Sequence, residues 1–391
     1  MSENSTVGAD VRAMLARLIA FDTTSRNSNM ELIDFVRGYL RDHGVESHLT
    51  FDDTGRKANL YATLGPQDRG GIALSGHTDV VPVDGQDWTS DPWTPSERDG
   101  RLYGRGACDM KGFIAVALVF APRFLERELD VPIHLCLSYD EEVGCLGVPR
   151  MLEFLAAQAV RPVGCIVGEP TDMKVVIGHK GKLSTTCRVR GLECHSSLTL
   201  HGVNAIQAAA RVITRLSEMD ARKAAEGPFD HDYDVPYSTA HCGLIQGGTA
   251  PNIVPAECVF DMEFRCLAGD DPMALLGELQ DYARDEVEPA MKAVDPAAGF
   301  SWEETSNHPG LDIPADADIV ALAKALSGAN DTGKVAFGTE AGLFSESGIP
   351  AVVCGPGSIE QAHKPDEFIS LDQLALCERF MSRLLDRLAK S

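Results

Sequence analysis

The chain has 391 residues, of which 44% are hydrophobic and 24% charged, with 58 Asp and Glu against 35 Lys and Arg. That length exceeds one ordinary core and predicts two domains built from a soluble, globular composition. A net charge of −23 argues against nucleic acid or anionic membrane as a partner.

The first residues, Met-Ser-Glu-Asn-Ser, lack the basic start and apolar core of a secretory signal. No apolar run is long enough to span a bilayer, so a cytoplasmic protein is expected. The eleven cysteines are odd in number and include no Cys-x-x-Cys pair. Most lie in apolar runs, as Cys136, Cys165, Cys258 and Cys354 do, and they read as reduced, buried thiols.

Apolar residues at helical spacing predict helices over 10–20 and 30–43, the second ending at Gly44. Strands follow at 59–64, 71–75, 133–138 and 165–167, alternating with helices at 113–128 and 148–158. This alternation predicts an α/β domain around a central mixed sheet with helices on both faces. Short runs such as Ile72-Ala73-Leu74 and Ile166-Val167 suit strands buried on both sides.

Near Lys182 the pattern changes. An alternating strand at 183–190 leads to a helix at 205–219 and a loop rich in Pro, Asp and His at 227–238. A strand at 258–266, a helix at 272–286 and a strand at 300–304 come next. This reads as a smaller α+β sandwich, over 183–305, inserted between 1–182 and 306–391. The α/β pattern then returns with a helix at 317–326, a strand at 351–354 and a helix at 371–388.

Chemistry-bearing residues recur at strand ends. His77 follows the buried 71–75 strand, and Asp79 is placed two residues on to fix its second ring nitrogen. Asp109 lies among Gly104, Gly106 and Gly112 just before a helix, where it either caps the helix or meets a ligand that the glycines let approach. Glu141 and Glu142 follow the 133–138 strand and Asp140. Three successive carboxylates repel one another unless cations are near, and one can bind metal while its neighbour serves as a general base. Glu169 closes another buried strand before Pro170, and His363 follows the turn after the 351–354 strand. In open α/β sheets such ends converge on one crevice. Imidazole and carboxylate together suit zinc and similar metals, and five such ligands exceed one tetrahedral site, which points to two metals sharing a carboxylate.

These residues carry a resemblance. The runs Gly76-His77-Thr78-Asp79-Val80-Val81-Pro82, Gly104-Arg105-Gly106-Ala107-Cys108-Asp109-Met110-Lys111-Gly112, Asp140-Glu141-Glu142-Val143-Gly144 and Gly168-Glu169-Pro170-Thr171 resemble the motifs of the acetylornithine deacetylase, succinyl-diaminopimelate desuccinylase and aminoacylase family of di-zinc amidohydrolases. The likeness runs from about residue 10 to the C-terminus.

The resemblance implies two zinc ions, replaceable by cobalt or manganese. Asp109 would bridge them, with His77 and Glu169 on one and Glu142 and His363 on the other. It implies Glu141 as general base and Asp79 as the residue orienting His77. It implies an inserted lid that also forms a homodimer interface, with His195 reaching the neighbouring subunit's site. Asn252 and Arg265 resemble the family's binders of the substrate amide region and α-carboxylate. The implied reaction is hydrolysis of an N-acyl amino acid, a small-molecule substrate.

Gly247–Pro255, Gly338-Thr339-Glu340-Ala341-Gly342 and Cys354–His363 resemble the acetylornithine-cleaving branch, and Glu340 is expected to favour a cationic substrate side chain. Succinyl-diaminopimelate, N-acetylcitrulline and dipeptide substrates stay open as alternatives.

Overall fold

A computed structural model describes residues 7–390. The chain forms two compact units. The first runs through Gly178 and resumes over Leu311–Lys334 and from Thr339 onward; the second comprises His179–Gly310 and Val335–Gly338. The divisions fall a few residues outside the expected 183 and 305, and the return of Val335–Gly338 to the second unit has no counterpart in the sequence reading.

In the first unit, a mixed sheet places Ser47–Phe51, Ala58–Leu64, Ile133–Ser138, Ile72–His77, Gly164–Pro170, Ala351–Gly355, Val175–His179 and Leu311–Asp312 side by side in that order. Ile72–His77 runs parallel to both of its neighbours, and Gly164–Pro170 runs parallel to Ala351–Gly355. All residues of these four strands are buried, which is why they read as continuous apolar runs rather than alternating ones.

The helix Gly112–Glu126 is apolar on nearly every side and is buried from Gly112 through Ala121; such a helix belongs inside a core. It packs against helices Ala9–Ile19 and Leu371–Leu388 and against the central strands. Gly168 makes one of these contacts possible: a Cβ there would lie 2.0 Å from the Phe113 ring.

The second unit is an antiparallel sheet ordered Thr239–Gly247, Glu257–Cys266, Gly181–Arg190 and Gly299–His308. Alternate residues Leu183, Cys187 and Val189, with Phe260, Met262 and Phe264, pack with Ala208, Val212 and Leu216 of the helix Ala205–Glu226. The expected helix end at 219 is overrun because the last turns are Ala- and charge-rich, polar but helix-favouring. The Asn204 side chain accepts from Gln207 N at its start. The strand Thr239–Gly247 was not anticipated, since it lies at the sheet edge and is largely exposed, leaving no apolar alternation to read.

All eleven cysteines are free, and nine are buried. No helix among the described residues is long and apolar enough to cross a membrane.

One buried histidine gives the first unit an acid limit. His134, on Ile133–Ser138, has its Nε2 3.1 Å from Gly71 N, from which it accepts, and its Nδ1 2.8 Å from Tyr61 Oη. Burial holds its pKa down at about 4, against an ordinary 6.5. Between those values the unfolded chain binds a proton that the folded chain excludes. Stability from this group is therefore complete above pH 6.5 and falls by about 1.4 kcal/mol per pH unit on acidification toward 4. In urea melts of the chelated protein between pH 7 and 4.5, His134→Gln should flatten the slope by that amount; parallel slopes for the two proteins would exclude it.

Candidate metal centre

Three parallel strands deliver most of the centre from their C-terminal ends. His77 is the last residue of its strand and pairs with Ser138. On the other side, Ser75 pairs with Val167, so the same register brings Glu169 level with His77. Beyond Ser138 the chain turns at Asp140, whose φ is 55°, and presents Glu141 and Glu142. Lys57 Nζ holds that turn by donating to both Asp140 carboxylate oxygens at 2.6 Å.

Asp109 arrives on the loop preceding the buried helix. Gly106 in that loop has φ 79°, and a Cβ there would meet Val80 Cγ1 at 2.7 Å. His363 comes from the last loop, with φ 63° and a side chain 54% exposed, whereas the carboxylates it meets are buried.

The side chains converge tightly. His77 Nε2 lies 2.9 Å from Asp109 Oδ1 and 3.7 Å from Glu169 Oε1. His363 Nε2 lies 2.9 Å from Glu142 Oε2 and 3.4 Å from Asp109 Oδ2. The two oxygens of Asp109 thus face two different sets of donors. Single ligand atoms of His77, Glu141 and Glu169 fall within 4.8 Å of one another, as do those of His77, Asp109 and Glu142.

Asp79 has a wider part than the sequence reading assigned. The closest acceptor to His77 Nδ1 is the Asp79 main-chain oxygen at 2.9 Å, with carboxylate Oδ1 at 3.5 Å. The Asp79 carboxylate itself accepts from Ser25 Oγ at 2.7 Å, Glu141 N at 3.1 Å and Glu142 N at 3.3 Å. One residue therefore fixes both the His77 ring and the backbone bearing Glu141 and Glu142.

The electrostatics are those of a centre with surplus negative charge. Burial, then the Asp109 charge, raises Glu142 to about 7. Burial and neighbouring charges push Glu141 and Glu169 well above the usual carboxylate range. Burial would raise Asp109 too, but hydrogen bonds from His363 and His77 outweigh it and hold its pKa low. Hydrogen bonds to Asp109 and Glu142 raise His363 to about 10. Four buried carboxylates with one buried and one half-exposed imidazole are a donor set that divalent cations of the zinc class satisfy.

Of the remaining expected site residues, Glu340 belongs to the first unit, near enough to His77, Asp79 and Glu141 for their charges to act on one another. Glu340 is 1% exposed; its Oε2 accepts from Ser75 Oγ at 3.4 Å, and burial outweighs the hydroxyls of Ser138 and Ser75 and raises its pKa to about 7. His195, Asn252 and Arg265 belong to the second unit. His195 is exposed, and its Nδ1 lies 2.8 Å from Ser197 Oγ and accepts from Ser197 N at 3.2 Å. It sits beside the Asn252 segment, whose carbonyl accepts from Ser196 N at 2.9 Å. Arg265 Nε donates to Glu263 Oε1 at 3.0 Å.

Sequence reasoning missed Ser25 and Lys57, which bind the Asp79 and Asp140 carboxylates; neither carried a local signal.

Comparisons with known proteins place the chain in a family. The description "Peptidase family M20/M25/M40" matches residues 73–387. An acetylornithine deacetylase of Myxococcus xanthus is 38% identical over 95% of this chain and 96% of its own length. One from Photorhabdus laumondii is 36% identical over 95% and 94%. Among solved structures, an M20 family metallo-carboxypeptidase from Sulfolobus solfataricus shares the fold with a TM-score of 0.77 at 19% identity, over 97% of this chain and 99% of that one. A dinuclear metal binding peptidase of the M20 family from Bacillus subtilis does so with a TM-score of 0.62 at 16% identity, over 96% and 99%. A cluster of candidate metal ligands beside parallel strand ends and a family match over residues 73–387 lead to one conclusion: the chain belongs to the M20/M25/M40 peptidase family.

Proposed function

We propose that the protein is a metal-dependent amidohydrolase that cleaves N2-acetyl-L-ornithine to L-ornithine and acetate. The observation that carries the hydrolytic reading is Asp109, whose two carboxylate oxygens face His77 with Glu169 on one side and His363 with Glu142 on the other. These five residues would hold two zinc ions, with cobalt or manganese as substitutes. When bound, such a pair would polarise an amide carbonyl and raise the acidity of a bound water. The choice of acetylornithine rests on the relatives of that name at 34–38% identity.

Glu141 takes the proton of the attacking water and returns it to the leaving amine. Its backbone N–H is fixed by Asp79, and Cys145 Sγ donates to its Oε1 at 3.6 Å. Positive charge from bound cations would offset the surplus negative charge around Glu141 and favour its ionised, proton-accepting form. His195, acting from the second subunit of a homodimer, donates to the oxygen on which charge develops. Asn252 contacts the amide region. Arg265 binds the α-carboxylate through the planar fork of its guanidinium. Glu340 supplies a buried carboxylate that no Lys or Arg neutralises among the ion pairs of the described residues, and the δ-ammonium of ornithine complements it. A cytoplasmic setting suits the free thiols.

Amine release from a panel of N-acyl amino acids tests this reading. Acetylornithine should be turned over fastest, ahead of acetylmethionine, acetylcitrulline and succinyl-diaminopimelate; a faster succinylated substrate or dipeptide would reassign the branch. Glu340→Gln should reduce the preference for acetylornithine over acetylmethionine about tenfold, the size of one lost charge-assisted contact. An unchanged preference would remove Glu340 from substrate selection.

A further inference from the structure

Glu367 lies four residues beyond His363 and is 1% exposed. Four donors surround its carboxylate. Oε1 accepts from the backbone N–H of Cys108 at 2.8 Å and of Asp109 at 3.0 Å. Oε2 accepts from Gly106 N at 2.9 Å and from Arg105 Nη1 at 2.8 Å. The Glu367 main-chain oxygen also accepts from Gly104 N at 3.0 Å. Every group around the carboxylate donates, so an ionised acid fits and an amide does not: Gln would turn an NH2 toward N–H groups.

The contacts continue to His363. Arg105 Nη1 also donates to Lys364 O at 3.3 Å, and its Nη2 donates to Gln86 Oε1 at 2.5 Å. Gln86 Nε2 donates to His363 O at 2.9 Å. Asp366 Oδ1 accepts from both Thr89 N and Thr89 Oγ1 at 3.0 Å.

The loop needs such anchoring. His363 and Asp366 have φ of 63° and 56°, a left-handed backbone that side chains other than glycine adopt at a cost unless their surroundings enforce it. The half-exposed His363 ring is held at Nε2 by Glu142 and Asp109, and the backbone fixes the other end of the side chain.

We infer that Glu367, with Arg105 and Gln86, positions Asp109 and His363 in a single register, coupling the carboxylate that faces both halves of the metal centre to the histidine of one half. This rests on the metal-centre reading above. Glu367 itself touches neither metal ligand's side chain; it acts through their backbones, so it is a positioning residue. Residues that orient metal ligands typically contribute 10–100-fold in metal affinity.

The test uses the full-length chelated protein, with cobalt(II) as the probe. Wild type, Glu367→Gln and Gln86→Ala are dialysed against buffered free cobalt. Bound metal and the visible d–d spectrum per bound cobalt are measured, with thermal melts in chelator reporting folding. Folded Glu367→Gln should bind cobalt 10–100-fold more weakly and show an altered spectrum, since the ligand geometry has moved. Gln86→Ala should show a smaller loss of affinity.

Wild-type affinity and spectrum in folded Glu367→Gln, whatever its melting temperature, would reduce Glu367 to a fold-holding ion pair and overturn the inference. Should Glu367→Gln fail to fold, Gln86→Ala decides: unchanged affinity and spectrum overturn the inference, and weakened binding upholds it. A wild-type protein that takes up no cobalt would defeat the metal-centre reading itself.

Discussion

Replacing Glu141 by Gln should leave metal content unchanged and lower kcat by about 10²–10⁴-fold, the range that a positioned proton-transfer group contributes. The amide keeps the size of the side chain and lacks only the capacity to take a proton. The neighbouring scaffold should persist, because the Glu141 N–H bond to Asp79 at 3.1 Å involves the backbone. Near-normal turnover at full metal occupancy would reject Glu141 as the base.

The same variant probes His195. Mixed with His195→Ala and allowed to exchange subunits, it should recover activity, because each mixed dimer holds one site with both groups intact. No recovery would mean that His195 does not act from a neighbouring subunit.

Removing metal should have the larger effect: activity should fall to background in chelator and return with zinc or cobalt. The physical reason is the charge in the cluster. Without cations, Asp109, Glu141, Glu142 and Glu169 crowd into one buried space, and three of the four have raised pKa values.

Binding to the folded state alone also stabilises it. The gain is about 4 kcal/mol when free metal exceeds Kd by 1,000-fold, so the melting temperature should drop in chelator and recover on metal addition. Activity that survives exhaustive chelation, with no transition metal found by elemental analysis, would sink the mechanism.

The central strands and helices were readable because their apolar periodicity is local. The buried strands around Leu74 and Ile166 show as short apolar runs, and the helix Leu371–Leu388 matches its predicted bounds. The exposed edge strand Thr239–Gly247 carries no such signal. Within the centre, His77, Asp109, Glu141, Glu142, Glu169 and His363 stood out because each lies at a strand end or a glycine-marked turn. Lys57 had no comparable mark: its role depends on meeting Asp140, 83 positions away.

The sequence by itself determined the main helices and the buried central strands, and which acidic and imidazole side chains stand at their ends, since backbone preference and apolar spacing are properties of neighbouring residues. Only the tertiary structure decided that Asp79 holds the backbone of Glu141 and Glu142, that Glu367 gathers the N–H groups of the Asp109 loop, and that Glu340 is enclosed beside Ser75. Those facts follow from strand order and from which distant donors a buried carboxylate meets. Hydrogen bonds between remote segments form by spatial encounter after the chain has collapsed, and no local pattern records them.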